Sequence, residues 1–102
     1  MGNISRFLAV LTVAVGDVDR ICRERRSDYW DTLGAVLKDR NFIEMVVAEM
    51  LDPEMKWQSA LRIMLGKSER KMDALPDRDL SAYAIELRGA CKYLLDNFGA
   101  QD

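Results

Sequence analysis

Histidine is absent from all 102 residues of this chain. That removes the commonest general base, the commonest metal ligand and the usual pH switch near neutrality. An enzyme built without it needs paired carboxylates, a lysine of lowered pKa or an activated cysteine, each with neighbours that tune it. The two cysteines, Cys22 and Cys91, lie far apart with no Cys-x-x-Cys spacing, which suggests neither a zinc site nor a redox pair. Asp28 and Asp31 stand three apart on one helical face, and Glu44 and Glu49 are the next nearest pair within one element; either has the chemistry to hold a hydrated magnesium. The first pair falls in an opening helical turn, where capping and the helix dipole already account for carboxylates. No glycine-rich phosphate loop and no Gly-x-Ser-x-Gly occurs. The expectation is a non-enzymatic chain with no metal and no cofactor.

The elements that position these residues read as helices. Ile4, Phe7, Leu8, Leu11, Ala14, Val15, Val18, Ile21 and Cys22 repeat at steps of three and four, predicting a first helix from about Ile4 to Arg26. Val10 and Val13 fall off that stripe, so the first half of the helix is apolar nearly all round. Arg20, Arg23, Arg25 and Arg26 suit the negative end of its dipole. Ser27 or Asp28 caps a second helix to about Asp39, with Tyr29, Trp30, Leu33, Val36 and Leu37 inward; Gly34 within it costs about 1 kcal/mol against alanine. Asn41 and Glu44 have capping-box spacing and open a third helix bearing Phe42, Ile43, Val46, Val47, Met50 and Leu51. Asp52-Pro53-Glu54 reads as the start of a fourth, with Trp57, Ala60, Leu61, Met64, Leu65, Met72 and Leu75 inward and an interruption at Gly66. After Pro76, Asp77 or Asp79 opens a fifth helix. Its stripe of Leu80, Tyr83, Ala84, Leu87, Cys91, Leu94, Leu95 and Phe98 is the cleanest in the chain, and Gly99 stops it. Both cysteines lie on apolar stripes and are expected as buried free thiols.

Ala60 to Leu75 reads Ala-Leu-Arg-Ile-Met-Leu-Gly-Lys-Ser-Glu-Arg-Lys-Met-Asp-Ala-Leu. It resembles the helix-turn-helix of bacterial DNA-binding proteins, in which an alanine-bearing helix ends at Leu-Gly and a serine caps the recognition helix. The resemblance implies that Ser68 caps that helix and that Arg70 and Lys71 approach DNA; Lys67 adds to the same basic face and is a further candidate nucleic-acid contact. The sequence departs from the pattern at Lys67, where a buried aliphatic residue is usual, at Asp73, which would sit toward the DNA, and at Pro76, which shortens the second helix. Its alternative is a kinked helix with a solvated basic face.

The whole balance of charge is 15 Lys plus Arg against 17 Asp plus Glu, a formal charge of -2, so no global basic field gathers nucleic acid or anionic lipid. Arg6 followed by Phe7 to Val15 and the small residues Ala14-Val15-Gly16 imitates a signal peptide, but the apolar run is too short to span a bilayer. Met1-Gly2 imitates a myristoylation site, with Arg6 where that motif wants a hydroxyl. Short connections and one composition throughout predict a single helical domain over residues 1–102. The fold class is all-α, a compact irregular bundle of about five helices around one core, with the first and last at its centre.

Hydrophobic residues make up 49% of the sequence, including six methionines and two tryptophans, which exceeds what the inward stripes absorb. Apolar side chains left over at this size point to a surface covered by self-association or by a partner. Phe7, Val10, Leu11, Val13 and Trp57 are the candidate contact residues. The function expected is a small cytoplasmic, non-catalytic protein-binding module, a regulator, inhibitor or adaptor that pairs as a homodimer, with no membrane role. The rival reading is the DNA-binding regulator that the resemblance implies.

Overall fold

Phe7, Leu11, Ala14 and Val18 recur at steps of four and three, and in the computed structural model they form the buried line of helix α1, Asn3–Glu24. The structure describes residues 2–74 and 78–100, with side chains at 2–67 and 84–100. α1 stops at Glu24, short of Arg26, because Arg25 turns extended while its N–H still closes on the Ile21 carbonyl.

Helix α2, Asp28–Lys38, follows with Ser27 at its cap position, although the Ser27 side chain makes no capping bond. Leu33, Gly34, Val36 and Leu37 face inward, whereas Tyr29, expected inside, is exposed. Trp30 takes the inward place, and the Tyr29 ring rests edge-on against it at 5.1 Å.

Helix α3, Arg40–Glu49, is capped by Asp39, whose carboxylate accepts the Asn41 N–H at 3.0 Å. The Asn41–Glu44 capping box does not form, because Glu44 instead accepts from the Arg40 guanidinium at 2.9 Å. Phe42, Val46 and Met50 are buried, but Leu51 is 83% exposed: with the helix over at Glu49, position 51 no longer follows its inward face.

Asp52-Pro53-Glu54 builds a local turn and not the start of the next helix. The Asp52 side chain accepts the Glu54 N–H at 2.9 Å and its carbonyl accepts the Met55 N–H at 3.0 Å, a self-contained aspartate turn. Helix α4 begins at Trp57 and runs to Ala74 without a break at Gly66. Helix α5, Arg78–Phe98, buries Ala84, Leu87, Ala90, Cys91, Leu94 and Phe98. At Gly99 a β-carbon would collide with the Leu95 carbonyl oxygen, so a glycine is what the chain needs where it leaves the helix. The expectations for Leu75, Pro76 and Asp77, and for the side chains of Met72, Asp73, Asp79, Leu80 and Tyr83, lie outside the described residues.

The five helices give one all-α bundle, and all of them contribute to a single core cluster. α4 and α5 make the most extensive packing, α1 and α2 the next, and α2 joins the two pairs by lying on α5. Both pairs are antiparallel. Gln58 at the head of α4 donates to the Gly99 carbonyl beyond the end of α5 at 3.4 Å. Val18 and Asp19 of α1 meet Gly34 and Lys38 of α2, while Cys22 reaches back to Asp31. Direct packing between α1 and α5 is slight, so the first and last helices do not form the centre. Sequence neighbours joined by short turns pair first, and α2 fills the space between. A run of edge-to-face aromatics marks that join, from Trp30 to Tyr93 at 6.1 Å and on to Phe98 at 6.4 Å.

Candidate functional site

Three of the five candidate contact residues belong to the interior. Phe7 is 0% exposed, Leu11 6% and Trp57 3%, so the chain's own helices cover them. Phe7 and Leu11 lie at the middle of the stripe that faces the core, and Trp57 sits at the first position of α4, packed into the same cluster. Val10 is half-buried against that cluster. Val13, by contrast, is 54% exposed.

Around Val13 the outer face of α1 is continuous and uncharged. From Phe7 to Gly16 no residue is charged, and Leu8, Ala9, Thr12, Val13 and Gly16 are all exposed. Leu8 remains 42% open to solvent. The one hydroxyl on this face is satisfied within the helix, Thr12 Oγ1 donating to the Leu8 carbonyl at 2.8 Å, so Thr12 presents mainly its methyl group. A β-carbon built on Gly16 meets nothing, which shows open space above the helix there. Arg6 and Asp17 bound the stretch, and Asp17 accepts from Arg20 at 3.3 Å in an exposed pair. Leu8, Ala9, Thr12 and Gly16 were missed by the sequence argument. The signal for three of them is simple: Ala9, Thr12 and Gly16 lie away from the Phe7, Leu11, Ala14 and Val18 line on the same helix, whereas Leu8 sits at that line's edge.

The chemical candidates are engaged elsewhere. Asp28 and Asp31 are exposed in the first turn of α2, and Asp31 lies near enough to the Cys22 thiol to raise its pKa. Glu44 and Glu49 turn to different cations, Arg40 and Lys67. Among the described residues no group of acids and cysteines is placed to hold a metal ion. Both cysteines are free. Cys91 is fully buried, and burial pushes its thiol up to about 12. Cys22 is only half-buried, contrary to expectation; its pKa is raised first by the loss of water around it, then by the hydrogen bond and charge of Asp31 and the charge of Asp19.

The helix-turn-helix resemblance requires two helices with a turn at Gly66, and α4 passes through that position as one helix. Lys67 is joined to Glu49 of α3, which offsets its charge. The side chains of Ser68, Arg70 and Lys71 lie outside the described residues. A shallow groove between α2 and α5, lined by Thr32, Ala35, Lys38, Asp39 and Glu86, has Lys38 tied to Asp19 and Asp39 used as the α3 cap. No helix among the described residues is long and apolar enough to cross a membrane. No family model, curated protein or solved structure matches this chain.

Proposed function

We propose that this chain is a small, non-catalytic, cytoplasmic protein-binding module, a regulator, inhibitor or adaptor whose contact surface is the outer face of α1. The observation that carries this reading is the uncharged outer face of α1, on which Leu8, Ala9, Thr12, Val13 and Gly16 are exposed, with Val13 at 54% exposure and Thr12 bonded to its own helix. Apolar area of this kind, bounded by Arg6 at one end and Asp17 at the other, is the usual make-up of a protein contact: a dry centre with a polar edge. Two free thiols suit a reducing compartment.

Site-specific photo-cross-linking in the native cell tests the surface. A photoreactive phenylalanine in place of Val13 is expected to give a covalent protein adduct, and the same group in place of Asp96, exposed on α5, is expected to give none. Absence of any adduct from position 13, to another protein or to a second copy, would remove the proposal.

A further inference from the structure

The two charges that bound the outer face of α1, Arg6 and Asp17, are of opposite sign. Arg6 and Asp17 stand eleven residues apart, about three turns, and so share one flank of the exposed face. Leu8, exposed, and Val15, half-buried against the chain's own core, stand seven apart, about two turns, and share the other flank. Both pairs have the same midpoint, between Leu11 and Thr12. When two copies of a helix meet antiparallel about a two-fold axis, each flank lies against its own counterpart, and two residues of one flank that are equidistant from the axis face each other. An axis at this midpoint sets Arg6 against Asp17 of the partner subunit and Leu8 against Val15 of the partner subunit, each contact occurring twice.

The rest of the face agrees with that placement. Ala9, Thr12 and Gly16 straddle the axis, and residues this small let two backbones approach closely. Arg6 is exposed and forms no ion pair with the described residues. Asp17 keeps 38% of its side chain open while it holds Arg20. A parallel pairing would instead set Arg6 beside Arg6 and Asp17 beside Asp17, which like charges oppose.

We infer that the partner on this face is a second copy of the chain, docked antiparallel through α1 with Arg6 and Asp17 paired across the two-fold axis. This rests on the reading of α1 as a contact surface and identifies what covers it.

Sedimentation equilibrium on the full chain tests it by charge reversal. At about 100 μM the wild type is expected to be dimeric. Arg6→Asp and Asp17→Arg each place like charges on the flank and are expected to weaken self-association by about tenfold or more. Mixed in equal amounts, the two variants are expected to dimerise again, because each flank of the mixed dimer carries one acid and one base. Arg6 is exposed and Asp17 half-buried, and circular dichroism of each variant alone checks that it remains helical. Thr12→Arg, which brings two cations together at the axis, replaces either reversal that fails this check, and it is expected to give a monomer. A monomeric wild type at this concentration, or a mixture that associates no better than its components, overturns the inference. If position 13 still cross-links to a different protein in that case, the contact surface stands and only its occupant is wrong.

Discussion

Gly34 of α2 lies so close to α1 that a β-carbon at position 34 would stand 3.3 Å from Val18 Cγ1. Val18 is fully buried and β-branched, so it has little freedom to move aside. Alanine in place of Gly34 gains about 1 kcal/mol of helix propensity, but crowding a close-packed contact costs about 1 to 3 kcal/mol. Gly34→Ala is therefore expected to lower stability to urea by about 1 kcal/mol. In a Val18→Ala background the obstruction is gone, and the same substitution is expected to raise stability by about 1 kcal/mol. The change of sign across the cycle is the diagnostic result, and a stabilising Gly34→Ala in the wild-type background would show that the two helices are not held this close.

Cys91 makes the fold sensitive to alkali. Its thiol is raised from 9.0 to about 12 by burial, so the folded chain keeps a proton that the unfolded chain gives up. Below the unfolded value the contribution is complete; between the two values stability falls by up to about 1.4 kcal/mol for each pH unit. Tyr93, raised chiefly by desolvation and then by Asp17, adds to the trend in the same direction. Urea melts from pH 8 upward are expected to show this slope, and Cys91→Ala is expected to reduce it. At pH 8 a thiol reagent should modify Cys22 slowly and Cys91 only on unfolding.

Helix α3 offers a sharper contrast between two apolar side chains than its periodicity suggests. Phe42 is fully buried and Leu51 almost fully exposed. Phe42→Ala is expected to cost about 3 to 5 kcal/mol, a large share of the stability of a domain this size. Leu51→Ala should stay within about 0.5 kcal/mol. Chemical denaturation of the two variants side by side checks where the inward face of α3 ends.

Gly66 distinguishes one long helix from two. In an unbroken helix, Gly66→Ala is expected to stabilise the chain by about 1 kcal/mol. A helix-turn-helix, in which that glycine leaves the helical backbone, would be destabilised by the same substitution. Thermal melts of the variant give the sign directly.

The lower half of α5 was legible from the sequence because Leu87, Cys91, Leu94 and Phe98 keep strict helical spacing and all four are buried. Spacing identifies the direction of a face but not its width. In α1 the core takes only Phe7, Leu11, Ala14 and Val18, leaving Ile4 and Leu8 of the same stripe exposed. That is why Phe7 and Leu11, at the centre of the apolar line, were mistaken for contact residues while Ala9 and Gly16 were overlooked. Short polar signals are ambiguous for a different reason. Asp-Pro-Glu and Asn-x-x-Glu satisfy local backbone groups in more than one way, and here Asp52 spends its carboxylate on a turn and Glu44 on Arg40. Trp57 shows the limit of composition: a tryptophan suits an interface and a core equally, and only the late start of α4 places it inside.

The aromatic run from Tyr29 through Trp30 and Tyr93 to Phe98 crosses the join between the α1–α2 and α4–α5 hairpins. Each hairpin is built from sequence neighbours and has mostly local contacts, the kind that form fast. Cooperativity between the hairpins depends on this join, since it passes the loss of one to the other. The molecule carries its own reporters of that coupling: Trp30 lies within the join, and Trp57 lies inside the core at the head of α4. Their fluorescence therefore separates a single concerted melting from the sequential loss of two units.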